Sequence, residues 1–314
     1  MSARVEPCRA PVPRDAWVAA AAAHAARADD LTAGRRARAS QHAKDPVEDF
    51  LFDYYSLRPA QLRRWHPGAG VALAAAPSDG GGRGGAAEDV QVEDRAAWRW
   101  HHEVDVAGVR AVTLDTVAFM ADRGDGVRWI HGLLQRTASR TPHLGCLGLH
   151  EWAMVYRQEA HRHPLPLRLG QAGTDAVVEA HPIRCSHFDA FRFFTTPARP
   201  LNRLRPSRGT QQAMEQPGCL HANMDLLRHA LKLGPACPGA LLLDCFVLAR
   251  DIRVLDMRAS PYDLSALGRA PVRIETGAGR AEYIAAQRGF SERAEPLRER
   301  LLAATSALVG SSPI

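Results

Sequence analysis

The sequence predicts a mostly α-helical single domain with few or no short strands. Two positive observations support this and one absence agrees. Apolar residues recur at helical spacing, as in Val47, Phe50, Leu51 and Tyr54. Pro and Gly punctuate the stretches between such segments. No run of alternating strands occurs, and only residues 177–185 and 270–275 read as extended. No internal repeat is visible.

Residues 1–13 carry three prolines and read as a disordered tail, which leaves 14–310 as one domain. Asp15 is placed to cap a helix that runs through the alanine-rich stretch to about Arg38. Asp45-Pro46 opens a second helix, because Asp suits the N-cap and Pro the first turn. Residues 60–65 form a short third helix, closed by His66-Pro67-Gly68. Five glycines between Gly80 and Gly85 make residues 78–87 a surface loop. Residues 105–140 read as helical with a break at Gly124-Asp125-Gly126, and 147–160 as another helix. Leu220 starts a helix that Gly234-Pro235 stops. Residues 238–257 form a long apolar helix, and amphipathic 282–308 closes the chain.

The chain has 314 residues, long enough to bury a sizeable core. An apolar fraction of 46% is ordinary for a globular protein. No run of about 18 apolar residues is present, so no membrane span is expected. The first 14 residues lack an apolar signal core, so a cytoplasmic location is expected. The six cysteines, at 8, 146, 185, 219, 237 and 245, form no CxxC pair, which fits reduced thiols better than a disulfide framework. A net charge of +6 and a pI near 9.3 point weakly to a polyanionic partner, and an Arg-rich composition bias gives the same figures. P-loop, GxGxxG, HExxH and GxSxG signatures are absent, which argues against the chemistries they serve.

Two polar clusters within residues 174–233 mark the expected site. One is Arg184 to Phe194, where His187, Asp189 and Arg192 are interleaved with four phenylalanines. A pocket of few polar groups on aromatic walls suits a planar ligand; a core segment with one Asp189–Arg192 pair is the plain alternative. The other runs from Gly218 to Asp225. On one helix His221, Asp225 and His229 would share a face, one turn apart, able to share a metal or a proton, or simply to hydrogen-bond. Glu151 beside Trp152 is a candidate for a raised carboxyl pKa, or a solvated Glu on an amphipathic helix. Asp244, Asp251 and Arg258 recur every seven residues; Asp251 reads as structural, and Asp244 could face the pocket. Arg58, Arg63, Arg64 and Trp65 mix cations with an aromatic, as phosphate and base contacts require, though a solvated helix end gives the same string. Arg199, Arg203, Arg205 and Arg208 lie in a proline-punctuated basic loop.

Residues 46–52, 58–68, 149–157, 185–195, 215–226 and 255–264 resemble a bacterial, mainly actinobacterial, family that carries the name 3-methyladenine DNA glycosylase. The resemblance spans about residue 40 to about residue 300. It implies a DNA-repair hydrolase that flips an alkylated purine out of the duplex and cuts its glycosidic bond. It carries over no catalytic residues, so roles are assigned from the residues themselves. Asp189 or Asp225 would activate water and steady the positive sugar, His187 and His221 would orient water or the base, and Glu151 completes the candidate set. Arg58, Arg63, Arg64, Trp65, Arg192, Arg203 and Arg205 would hold DNA. Aromatic faces would attract the cationic base. On this reading DNA is the partner, with no cofactor, membrane or obligate protein partner. The alternative is a helical metal-dependent oxidase or hydrolase of a small molecule, with iron or zinc on His187, Asp189, His221, Asp225 and Glu151. A non-catalytic nucleic-acid-binding protein is the third possibility.

Overall fold

The structure, a computed structural model, describes residues 10–75, 95–159, 161 and 163–310. Most of the expected tail and the whole Gly-rich loop at 78–87 lie outside the described residues. The end of that tail is pinned: Val12 bridges to Leu73, its N–H donating to Ala72 O at 2.9 Å.

Helix α1 (Arg14–Ser40) starts after Pro13, two residues earlier than an Asp15 cap would place it, and Asp15 lies in its first turn without capping it. Its inward stripe is Trp17, His24, Ala28 and Thr32. Arg35 and Arg38 clasp the buried Asp49 at 3.2 and 2.5 Å and fix the turn that follows. Asp45 accepts from the Val47 and Glu48 amides, so it caps a turn as expected, but helix α2 (Phe50–Tyr54) begins later. Helix α3 (Pro59–Arg63) packs on α1.

The largest departure from the sequence reading is at 101–114. The start of the expected helix is a hairpin, β2 (His101–Val106) and β3 (Val109–Leu114), with β1 (Leu73–Ala74) on the other edge of β3. Both pairings are antiparallel, with Val106 opposite Val109. Ala107 and Gly108 make the two-residue turn, both with positive φ (54° and 79°), and Asp105 accepts from the Gly108 amide at 2.8 Å. Asp115 then caps helix α4 (Thr116–Ala138) by accepting from Val117 and Ala118. This helix runs unbroken through Gly124–Gly126, because packing against the C-terminal helix outweighs the weak helix propensity of glycine.

Helix α5 (Leu149–Ala153) is shorter than expected, and α6 (Gly170–Ala180) occupies part of a stretch read as extended. The site region contributes α7 (Phe188–Phe191), α8 (Gln211–Met214), α9 (Leu220–Met224) and α10 (Leu226–Leu233). The expected single helix from Leu220 is thus two, parted at Asp225. Helix α11 (Gly239–Arg258) is central, and α12 (Gly277–Val309) packs on it and on α4. One continuous apolar cluster reaches from Ala28 on α1 to Leu308 on α12. The chain is therefore a mostly α single domain with one small sheet. No helix among the described residues is long and apolar enough to cross a membrane.

Candidate functional site

Two short buried elements meet the inner face of α11. Helix α5 follows Gly148, whose φ of 70° and contact with Tyr283 leave no room for a side chain. That turn aims both His150 and Glu151 inward. Helix α9 is buried at every position and presents His221. Helix α11 presents Arg253 and Asp256, three residues apart and each 1% exposed.

His150, His221 and Asp256 offer ligand atoms that all lie within 4.8 Å of one another. His150 Nε2 and Asp256 Oδ1 form a buried ion pair at 2.9 Å that falls short of good hydrogen-bond alignment. The two atoms approach without aligning, as ligands aimed at a common point do. An ion with bonds of about 2.1 Å would set neighbouring ligands roughly 3–3.5 Å apart, so the His150–Asp256 pair at 2.9 Å would open slightly and any wider gap would close. Burial lowers the His150 pKa, but the Asp256 carboxylate outweighs this and holds it well above its ordinary value, so a metal there would have to displace the His150 proton. Asp256 is held down by the same pair despite its burial. Burial, with the His150 charge beside it, keeps His221 neutral, the state that ligates a metal. Cys146 Sγ is 3.5 Å from His150 Nδ1, the ring nitrogen turned away from Asp256.

Small cavities flank His221 on two sides. One, of about 20 Å³, is a recess with Glu151 and Asp189 on walls of Phe50, Tyr54, Phe193 and Tyr262. The other, of about 10 Å³, lies among Cys146, His150, Cys185, Cys219 and Tyr283. Each has room for about one water. Arg253 reaches Glu151 at 2.9 Å and Asp256 at 3.2 Å, with its guanidinium 3.7 Å from the Phe50 ring centre. Burial pushes the Glu151 pKa up against the pull of Arg253, the carboxyl property expected of it.

A second cluster lies behind His221, whose ring stacks on His187 at 5.3 Å. His187 Nε2 is 3.3 Å from Glu215 and 3.4 Å from Asp225. Asp225 also accepts from Tyr55 OH at 2.7 Å and pairs with Arg228 at 3.1 Å. Burial alone would raise the Asp225 pKa, but His187 and Arg228 hold it well below the usual range. The same carboxylates hold His187 up against its burial.

The expected set is therefore divided. Glu151, Asp189 and His221 face one recess, whereas His187 and Asp225 are locked in the cluster behind it. Asp189 pairs with Arg192 at 3.2 Å and with Arg228. Because α9 ends at Met224, His221, Asp225 and His229 do not act as one ligand face; His229 instead meets the Trp129 ring. Asp244 does not reach the pocket and pairs with Arg27 and Arg300. The residues that sequence reasoning missed are His150, Asp256, Arg253 and Glu215. Asp256 carried one signal, its position three residues after Arg253, on the same face of the helix.

The expected DNA contacts occupy separate surfaces. Arg63, Arg64 and Trp65 line an open pocket of about 540 Å³ against α1, where Arg63 pairs with Asp29 and Arg64 covers Trp98. Arg58 is exposed at the start of α3. Arg192 lies over Phe193, Arg205 caps carbonyls of its own loop, and Arg203 is exposed. Comparison with protein-family models, with curated proteins and with solved structures finds no match to the chain.

Proposed function

We propose that the chain is a metal-dependent enzyme acting on a small molecule, with His150, His221 and Asp256 holding one transition-metal ion. The observation that carries this is the convergence of three buried ligand atoms within 4.8 Å, two of them an ion pair poorly aligned for a hydrogen bond. Two imidazoles and one carboxylate suit iron or zinc and leave coordination positions open. Such an ion supplies oxidation chemistry if iron, and Lewis acidity for hydrolysis if zinc. Glu151, raised in pKa and facing the same recess as His221, is the group placed to carry a proton. Arg253 holds the Glu151 and Asp256 carboxylates in place. Cytoplasmic placement accords with this reading.

The test is metal analysis of protein expressed with added iron or with added zinc and purified without chelator. About one ion per chain is expected, and loss of that ion in His221→Ala and Asp256→Ala. No stoichiometric ion in the parent under either loading would end the proposal.

Excision of alkylated purines from DNA is the second reading. The resemblance to the glycosylase family favours it, as does the placement of Asp189 and Glu151 against Phe50, Tyr54 and Phe193. At about 20 Å³ the recess admits a water and not a purine, so excision requires its aromatic wall to open. Incubation with methylated duplex DNA, scored for free base and abasic sites against an Asp189→Asn/Asp225→Asn control, decides it. Release equal to that control would refute this reading.

A further inference from the structure

We infer that a pocket beside the proposed metal site binds a small-molecule anion, a phosphate or carboxylate group. The pocket measures about 420 Å³, the size of a small-molecule site. Arg140, Arg184, Arg203 and His143 line it, and no Asp or Glu does. Arg140 is held rigid by the carbonyls of Gln212 and Glu215, at 2.8 and 2.7 Å, which fix its direction without neutralising its charge. The Arg184 and Arg203 side chains make no ion pair or hydrogen bond with any described residue. Many arginines elsewhere are paired, as Arg27 with Asp244, Arg157 with Glu179 and Arg168 with Glu275. Three uncompensated guanidiniums around one concavity are what an anionic group requires.

The floor of the pocket is also built. Gln216 is buried, its Oε1 accepting from the His143 and Gly218 amides, each at 2.7 Å, and its Nε2 donating to His143 O. Gly218 lets this happen, because a Cβ there would stand 2.7 Å from His143 O. Met214 and Leu204 give the pocket an apolar side for the organic part of a ligand. Cys146, Ser186 and Gln216 line both this pocket and the inner cavity that holds His150 and His221. A ligand anchored by its anion at the arginines is thereby aimed at those histidines. The anion site stands on its own observations, while its role in docking substrate rests on the metal reading above. A pocket of about 420 Å³ suits the terminal group of a small molecule better than a continuous nucleic-acid backbone.

Calorimetric titration of the full chain at low ionic strength, with inorganic phosphate in one arm and succinate in the other, tests this. At least one should bind saturably below about 1 mM and raise the melting temperature. Arg184→Gln/Arg203→Gln should weaken that binding at least about tenfold, since each charged hydrogen bond lost costs that order. Both side chains are exposed, so the variant should keep its fold and metal content. His221→Ala should lose metal and keep anion binding, which separates failure of this inference from failure of the metal reading. The tighter arm identifies the anion. The inference is overturned if neither anion binds below about 10 mM, if the double variant binds as the parent does, or if a duplex oligonucleotide binds through these arginines and small anions do not displace it.

Discussion

Replacing Arg253 with Met probes the buried charges that frame the site. Arg253 is 1% exposed, with Nη1 2.9 Å from Glu151 and 3.2 Å from Asp256. Met fills most of the same volume, so the cavity contribution is small. What remains is the loss of the cation between two buried carboxylates. Breaking a buried pair by removing one partner costs about 3–5 kcal/mol. That is a large share of the roughly 5–15 kcal/mol that holds a domain together. The pH dependence has a definite sign. Glu151 has a folded pKa already raised above 4.5 by burial, and it rises further without the arginine. Above pH 4.5 the folded variant therefore retains a proton that the unfolded chain has released, so its stability falls as pH rises. Urea unfolding in the presence of chelator, at pH 7.5 and 5.5, should show the deficit of Arg253→Met shrinking at the lower pH. Glu151→Gln in the same background should recover part of it at pH 7.5. A deficit under about 1 kcal/mol, or one that grows on acidification, would show that these charges are not isolated from water as the geometry requires.

Three further predictions concern the scaffold. Gly279→Ala should fail to fold or lose more than about 3 kcal/mol by urea titration, because its Cβ would stand 2.0 Å from Arg273 O, a backbone atom. Asp115→Ala should cost about 1 kcal/mol in the same assay, the usual value of an N-cap, since Asp115 alone caps α4. Burial holds the pKa of His66 down to about 3 and that of His229 down to about 4. The unfolded chain takes up these protons near pH 6.5 and the folded chain refuses them, so their contribution to stability is lost as pH falls below that value. His66→Phe should accordingly lose less stability than the parent between pH 6.5 and 4, as read from melting temperatures.

The long helices were legible because their apolar spacing is sustained: α11 and α12 fall close to where periodicity places them. The hairpin was not. β2 is half-buried or exposed throughout and β3 is buried at four consecutive positions, so neither shows clean apolar alternation, and the one local signal is Asp105, Ala107 and Gly108 at the turn. Glycine propensity suggested a break in α4 that tertiary packing overrides. In the site, His221 stood out as a polar residue among apolar neighbours. Asp225 stood out for the same reason but serves the cluster behind. His150 was masked by Glu151 beside it, and Asp256 by the more regular series of Asp244, Asp251 and Arg258. No local pattern says that positions 150, 221 and 256 meet; that depends on how α5 and α9 dock on α11.

The order of those three ligands along the chain matters for how the centre would be loaded. Asp256 leaves the ribosome last, near the end of α11, so the full set exists only after that helix has packed. Once closed, the centre opens onto cavities of about 20 and 10 Å³. A hydrated ion cannot pass through either without local opening. Exchange would then be slow compared with folding, and an ion present when the chain closes would be the one that stays. Metal identity would record the conditions of synthesis more than relative affinity. Chains folded in media supplemented with different metals should keep those metals through purification.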